Sequence, residues 1–98
     1  MSGAITAVAR LKAAAGQEEA VRAQALSLVE PTLAEPGCLF YRPYQDPLDP
    51  ASWVVVEQWA SRAEFEAHLA APHMVEAFAA GATLLAAPPE LQVLVDLP

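Results

Sequence analysis

The chain has 98 residues, enough for one domain with one modest hydrophobic core. Its formal net charge of −7, from 5 Lys and Arg against 12 Asp and Glu, repels phosphate backbones and excludes nucleic acid as a partner. No apolar run reaches the roughly 18 residues that a membrane-spanning helix needs, and the single cysteine excludes an intrachain disulfide and a cysteine-based zinc site.

The N-terminal stretch 1–9 has neither the basic start nor the apolar core of a signal peptide, so we expect a cytoplasmic protein. Residues 4–12 alternate between two faces, which predicts a first β-strand. One face holds Ile5, Ala7, Ala9 and Leu11. The opposite face includes Thr6 and Val8, so neither face of this strand is marked as facing water.

A first helix is predicted from Gln17 onward, because apolar residues recur at helical spacing and Glu18 and Glu19 suit the positive end of a helix dipole. Its apolar positions are Val21, Ala25, Leu28, Val29 and Leu33. Pro31 lacks the N–H group that a helix interior requires, which predicts a kink or an early end near Glu30.

A Glu-Pro-Gly turn at residues 35–37 precedes a second predicted strand at residues 38–45. Residues 46–50 are expected to form a loop, because their Pro and Asp residues disfavour the interiors of helices and strands. Residues 53–59 give the strongest strand prediction, since they contain a run of valines. Alternation places Trp53, Val55, Glu57 and Trp59 on one side of this strand.

A capping box at Ser61 and Glu64 opens a second helix, because the two side chains can satisfy its first free N–H groups. Pro72 ends that helix and begins a third helix, predicted over residues 74–85. Its stripe consists of Met74, Phe78, Gly81 and Leu85. Two consecutive prolines end the third helix, and alternation over residues 91–97 predicts the last strand.

The resulting order β-α-β-β-α-α-β, with the last two helices acting as one broken crossover, is typical of a ferredoxin-like, split βαβ arrangement of the α+β class. We expect a single domain over residues 1–98 with its core at about residues 4–95. The helices of such a sheet cover one face only, which leaves Val8, Val54 and Val56 on the other. We therefore expect a two-fold homodimer in which two sheets pack face to face.

A candidate pocket involves the second helix and the valine-rich strand. Phe65 and His68 are three residues apart and share a helix face. If that face meets the sheet, Trp59 and Glu57 join them in a pocket with aromatic walls and two ionisable groups, which suits a flat aromatic ligand. Each residue also has a structural interpretation, with Trp59 in the core and His68 as a hydrogen-bonded interior histidine.

The charged residues and histidines allow a structural role for Glu57, and their spacing argues against a bound metal ion. Glu57 could form a structural ion pair with Arg10 or Arg42 instead of acting in catalysis, since an unpaired buried carboxylate is costly. His68 and His73 lie five residues apart, outside the i, i+4 spacing of helical metal ligands, with a proline between them, so we expect no metal site. Motifs for nucleotide cofactors do not occur.

Four segments resemble the antibiotic biosynthesis monooxygenase family, and most closely its quinol monooxygenase branch. They are EPGCLFY at residues 35–41, EQW at 57–59, AHL at 67–69 and PHM at 72–74. With the first strand and the exit from the third helix, the resemblance covers about residues 4–95. It implies a ferredoxin-like protomer, a dimeric α+β barrel, and oxygenation of a quinol or another small phenolic aromatic by O₂ with neither metal nor flavin.

The resemblance also implies roles for particular residues. His68 would be the catalytic base, because an imidazole can take the proton of a quinol near neutral pH. Trp59 matches a pocket tryptophan of the family and would stack on the substrate. The other candidate substrate-contacting residues are Phe65, Glu57, Tyr41 and Phe78.

The sequence departs from some branches of the family. Haem-degrading relatives carry Asn, Trp and His where this chain has Ala7 or Ala9, His68 and Phe78, so we do not expect haem degradation. A branch that isomerises a phosphorylated autoinducer sugar shares the histidine-containing helix and is the enzymatic alternative. Its phosphate would need cations, for which the candidates are Arg10, Arg42 and Arg62. A non-catalytic stress-response module that binds a small aromatic is a third hypothesis.

Overall fold

A computed structural model describes residues 3–97, so residues 1, 2 and 98 of the predicted domain lie outside the described part. The strands are β1 Ile5–Lys12, β2 Cys38–Asp46, β3 Asp49–Trp59 and β4 Glu90–Val95. The helices are α1 Glu18–Ser27, α2 Val29–Leu33, α3 Arg62–Leu69 and α4 Pro72–Leu84.

The four strands form one antiparallel sheet in the order β2-β3-β1-β4. The crossover through α1 and α2 and the crossover through α3 and α4 give the ferredoxin-like arrangement that the sequence predicts, so the α+β fold class is confirmed. The predicted strand faces are also correct. Ile5 and Ala7 on β1 and Val55 and Trp59 on β3 are all buried on the inner face, which the helices cover.

The first crossover helix breaks earlier than the predicted kink near Glu30. Helix α1 ends at Ser27, and α2 begins at Val29, so that Pro31 falls in the first turn of a new helix, where its missing N–H group is not needed. The break changes which side chains face inward. Thr32 is completely buried, whereas Leu33, predicted on the apolar stripe, is 49% exposed.

The predicted loop at residues 46–50 is wrong. Strand β2 continues to Asp46 and β3 begins at Asp49, so that only a two-residue turn separates the strands. Aspartate side chains stabilise this hairpin by taking the place of backbone acceptors. Asp46 Oδ1 accepts the Leu48 N–H at 2.8 Å, and Asp49 Oδ1 accepts the Ala51 N–H at 3.1 Å. A hydrogen bond from Lys12 to the Asp49 carboxylate lowers the pKa of Asp49 to about 2.

The second crossover follows the sequence prediction closely. Ser61 is the N-cap of α3, where its Oγ accepts the Glu64 N–H at 3.3 Å, and Pro72 is the first residue of α4. Only two residues separate the helices, so the chain turns a sharp corner. This corner brings the end of α3 close to the beginning of α4.

The outer face of the sheet carries apolar side chains that no helix covers. Val8, Val54 and Val56 are half-buried there, and Tyr44 and Leu94 are exposed. The homodimer stays a prediction. Within residues 3–97, no helix has both the length and the apolar character needed to cross a bilayer, and the cytoplasmic location likewise stays a prediction.

Candidate active site

A cavity of about 490 Å³ lies between the inner face of the sheet and the helices. Its volume falls within the range of about 300–1,000 Å³ that is usual for small-molecule pockets. Its walls are mainly apolar and include Ala9, Val55, Leu69, Met74 and Ala77. The polar side chains on the walls are Gln24, Tyr41, Glu57 and His68.

His68 lies on α3 with its side chain completely buried at the cavity wall. Its Nδ1 is 2.7 Å from Oε2 of Glu35. Within residues 3–97 its Nε2 has no hydrogen-bond partner, and Oε1 of Glu57 is 3.6 Å away. The ring packs against the indole of Trp59 with centroids 4.7 Å apart. The Nδ1 atom of His68 therefore contacts Glu35, while Nε2 makes no hydrogen bond within the described residues. A histidine with this arrangement can accept a proton at its second nitrogen.

Glu57 lies at the centre of the inner face, opposite Ala7 on β1 and Tyr41 on β2. Its Oε1 accepts the indole N–H of Trp59 at 2.9 Å. Burial raises the pKa of Glu57, although the Trp59 hydrogen bond and the nearby imidazole of His68 oppose that rise. The site therefore holds a buried carboxyl group 3.6 Å from the imidazole of His68.

The predicted structural ion pair of Glu57 with Arg10 or Arg42 is wrong. Both arginines are exposed. Arg10 pairs with Val54 in the sheet, and Arg42 pairs with Val56, so their side chains leave the sheet on the face opposite to Glu57.

Tyr41 and Phe78, two predicted substrate-contacting residues, both line the cavity. Tyr41 is buried, and its ring meets the ring of His68 edge-on with centroids 5.8 Å apart. Burial and the neighbouring Glu57 raise the pKa of Tyr41, so its phenol keeps its proton. Phe78 on α4 is 50% exposed and lies on the cavity wall together with Met74, Gly81 and Leu85 of the predicted α4 stripe.

Trp59 and Phe65 are not among the described residues that line the cavity, and their contact with a substrate stays a prediction. Both belong to a core cluster with Ile5 and Ala7 and are almost completely buried. Trp59 is on the predicted face, but it lies two residues beyond Glu57, where Phe65 covers it. From there it supports His68 by packing and Glu57 by hydrogen bonding.

Glu35 contacts His68, although the sequence predicts this glutamate only as part of a turn. The turn is fixed at the next residues, because Gly37 has a φ of +79° and its carbonyl accepts the Ala60 N–H at 2.8 Å. This anchors the turn beside the end of β3 and directs the Glu35 carboxylate to His68. The available signal was its position as the first residue of the family-like segment at 35–41.

His73, the second residue of α4, also reaches Glu35, a contact that the sequence does not predict. Its Nε2 is 2.9 Å from the same Oε2 of Glu35 and 3.3 Å from Oγ1 of Thr32. The corner between α3 and α4 makes this possible, because it turns His73 back toward the end of α3. One carboxylate oxygen therefore contacts two histidines.

Glu35, His68 and His73 present donor atoms of the types that bind zinc, all within 4.8 Å of one another. Their spacing fits hydrogen bonds better. The two histidine nitrogens lie 2.7 and 2.9 Å from the Glu35 oxygen. Ligand atoms around a tetrahedral zinc ion, with bonds of about 2.0 Å, are separated by about 3.3 Å.

Comparisons with known proteins agree with this architecture. The family described as "Antibiotic biosynthesis monooxygenase" matches residues 4–80. Protein sll1783 of Synechocystis sp. is 29% identical over 89 residues, which cover 91% of this chain, but the chain spans only 60% of that relative. "Probable quinol monooxygenase YgiN" of Escherichia coli is 38% identical over 80 residues, covering 71% of this chain and 77% of that protein.

Among solved structures, PA3566 of Pseudomonas aeruginosa superposes with a TM-score of 0.92 at 33% identity, covering 100% of this chain and 98% of the other. The family match covers β1 to α3 and most of α4, and the structural similarity to PA3566 extends over the whole chain. On this evidence the chain belongs to the antibiotic biosynthesis monooxygenase family.

Proposed function

We propose that this protein is a monooxygenase that oxidises a quinol, or another small phenolic aromatic, with O₂ and without a cofactor. The observation that carries the proposal is the free Nε2 of the buried His68 at the wall of a largely apolar cavity. Membership of the family supports the reaction class. The quinol is suggested by the name of the Escherichia coli relative and by the mainly apolar lining of the cavity.

In the proposed first step, His68 Nε2 accepts the proton of a substrate hydroxyl group. The O–H bond breaks, an N–H bond forms, and the electron pair stays on the substrate as a quinolate. A quinolate is electron-rich enough to reduce O₂ directly, so the protein supplies a base, an apolar chamber and an orientation.

The overall reaction balances without an external reductant. A quinol and O₂ yield a hydroxylated quinone and water: one oxygen atom enters the ring and the other leaves as water. The substrate supplies all four electrons, two when the quinol becomes a quinone and two when the ring carbon is hydroxylated. This electron balance is the physical reason for preferring a quinol to a substrate that is harder to oxidise.

Glu57 and Tyr41 complete the proposed chemistry. The raised pKa of Glu57 suits it to carry a proton next to His68 and to return it to reduced oxygen as the O–O bond breaks. Tyr41 keeps its phenol proton and can donate a hydrogen bond to a substrate oxygen. Ring contacts with Phe78 would hold the aromatic substrate at the cavity wall.

The phosphorylated-sugar alternative receives no support from the cavity. A sugar phosphate needs cations or a cradle of N–H groups. Among the described residues, no Lys or Arg side chain lines the cavity, and its walls are mainly apolar. Its predicted phosphate-binding candidates Arg10, Arg42 and Arg62 are all exposed to solvent instead.

The test is oxygen uptake with a panel of chemically reduced benzoquinones and naphthoquinones. We expect uptake above autoxidation for the wild type and a loss of about 10²–10⁴-fold for His68→Gln. Glu66→Gln is the matched control, because Glu66 lies on the same helix with an exposed side chain. Absence of uptake, or equal uptake by His68→Gln, would contradict the proposal. Quinone binding without turnover would instead support the non-catalytic binding module.

We also propose a homodimer formed through the outer face of the sheet. The proposal is supported by the half-buried Val8, Val54 and Val56 on that face, flanked by the exposed Leu94. Sedimentation at micromolar concentration should give twice the chain mass of 10.4 kDa. A species of the chain mass alone would contradict the dimer.

A further inference from the structure

We propose that Glu35 is a positioning residue for His68. It holds the imidazole, which lines the cavity, with its proton on Nδ1 and with Nε2 unprotonated, and His73 holds the Glu35 carboxylate in place. The kinetic consequence rests on the proposed function, whereas the arrangement of protons is a property of the protein alone.

The direction of the His68–Glu35 hydrogen bond follows from the chemistry of its partners. With Glu35 ionised, its carboxylate only accepts hydrogen bonds, and the 2.7 Å contact then places a proton on Nδ1 of His68. A neutral imidazole carries one ring proton, which leaves Nε2 as a lone-pair acceptor. This agrees with the position of Nε2, which is buried, has no hydrogen-bond partner in the described part of the chain, and lies 3.6 Å from Oε1 of Glu57.

His73 provides a second donor to the same carboxylate oxygen, at 2.9 Å. The His73 side chain is 23% exposed and the Glu35 side chain 14% exposed, whereas His68 is completely buried. Neither Glu35 nor His73 is on the cavity wall. Both residues therefore act on a substrate only through His68.

The arrangement also stabilises the charge that proton transfer creates. When His68 becomes an imidazolium ion, the adjacent Glu35 carboxylate compensates its charge in a site shielded from water. The titratable groups that face this pair are Glu57 on β3, Tyr41 and Cys38 on β2, and His73 on α4. Without Glu35, the imidazolium would have only Glu57 as a nearby anion.

The first test measures the ring protons by ¹H–¹⁵N NMR of the ¹⁵N-labelled protein. The chain has two histidines, so a spectrum of His68→Gln assigns the signals. We expect the neutral His68 ring to carry its proton on Nδ1 in the wild type and to lose this preference in Glu35→Leu, whose side chain has no hydrogen-bond acceptor. A wild-type ring protonated on Nε2 would overturn the proposal, as would a tautomer unchanged in a folded Glu35→Leu protein. This readout does not depend on turnover.

The second test compares quinol oxidation across pH. We expect Glu35→Gln to lower kcat about 10²-fold with KM within about twofold of the wild type, because Glu35 does not touch the cavity. The acid limb of its pH profile should move to lower pH, because the imidazolium loses its compensating anion. A change confined to KM, or an unmoved acid limb, would contradict the positioning role.

Variants of His73 test the holding role. His73→Gln keeps an N–H donor, whereas His73→Phe keeps the ring shape and removes the donor. We expect near wild-type kcat for His73→Gln and a loss of about tenfold for His73→Phe, and equal rates for the two variants would remove His73 from the proposal. If the wild type oxidises no quinol while the NMR shows the Nδ1 tautomer, the proposed substrate fails and the positioning of His68 stands.

Discussion

Each end of the inner sheet face contains a buried tryptophan of β3. The two ends differ in whether the indole N–H group has a hydrogen-bond partner. At one end, Trp59 donates its indole N–H to Glu57 at 2.9 Å and packs against His68. At the other end, Trp53 packs with Ala13 and Val21, and its Nε1 has no hydrogen-bond partner among the described residues. The cavity lies between the two ends.

The difference supports the proposed function, in which the Trp53 end serves packing and the Trp59 end serves chemistry. The Trp53 end is apolar, and the indole N–H group of Trp53 is buried there without a hydrogen-bond partner among the described residues. The Trp59 end buries a carboxyl group and an imidazole, which apolar side chains of similar size could replace at lower desolvation cost. Retaining ionisable groups in that position is the expected sign of a site where protons move.

The largest expected effect is a difference in stability between alanine variants of the two glycines with positive φ. Gly37 lies near the Trp59 end of the sheet and Gly16 near the Trp53 end. Gly37→Ala should lower the free energy of unfolding by about 2–3 kcal/mol. The left-handed backbone at φ +79° disfavours a side chain, and the new Cβ would overlap the Glu64 carboxylate. Gly16→Ala, at φ +83° with open space around it, should cost only the backbone strain of about 1–2 kcal/mol. Urea denaturation of both variants measures the difference.

Gly37→Ala should also reduce quinol oxidation, because the turn that holds Glu35 must shift, whereas Gly16→Ala should oxidise quinols at the wild-type rate. Equal losses of stability in both variants, with unchanged activity, would show that the 35–37 turn has no special link to the site.

The two tryptophans provide the second comparison. Trp59→Phe leaves Glu57 without its donor and should destabilise the protein by about 1–3 kcal/mol. Trp53→Phe removes an N–H group that has no partner, so its cost should be limited to the lost packing volume. Thermal or urea unfolding should therefore rank Trp59→Phe as the less stable variant, and the reverse order would contradict the account of the two ends.

The smallest expected effect concerns the pH dependence of stability at Glu57. Its pKa is raised by burial above the ordinary value of 4.5, so the contribution of this group to stability is fully present below that value and is lost as the pH rises through the folded-state pKa. Glu57→Gln cannot ionise. It should melt at a higher temperature than the wild type at pH 7.5, and the difference should shrink as the pH falls to about 4.

Melting curves at several pH values provide the measurement, and Glu66→Gln on the solvent side of α3 is the control, expected to stay close to the wild type. A Glu57→Gln variant that melts below the wild type at neutral pH would indicate that the ionised carboxylate stabilises the fold.

Local patterns in the sequence predict much of the fold. Alternation predicts the inner face of β3, because side chains of a strand change sides at every residue. The Ser61 cap and the Pro72 start of α4 are equally local. The hairpin at 46–50 was mispredicted because two aspartates stabilise a tight turn through their own side chains, which composition alone does not show.

The candidate site is less predictable because its contacts are long-range. His68 and Glu57 could be placed on converging faces, and both line the cavity. Glu35 contacts His68 from 33 positions away, across a turn whose spatial position no periodicity indicates. Trp59 shows a related limit: alternation identifies its face correctly, but not that Phe65 covers it at the end of the strand.

The central claim is that the protein catalyses the insertion of an oxygen atom into a quinol bound in the cavity beside His68. Labelling with ¹⁸O₂ tests it most directly. Mass spectrometry of the product from a reduced naphthoquinone should show one ¹⁸O atom per molecule with the wild type and almost none with His68→Gln. Oxidation of the quinol to an unlabelled quinone, with reduction of O₂ to hydrogen peroxide, would contradict monooxygenation.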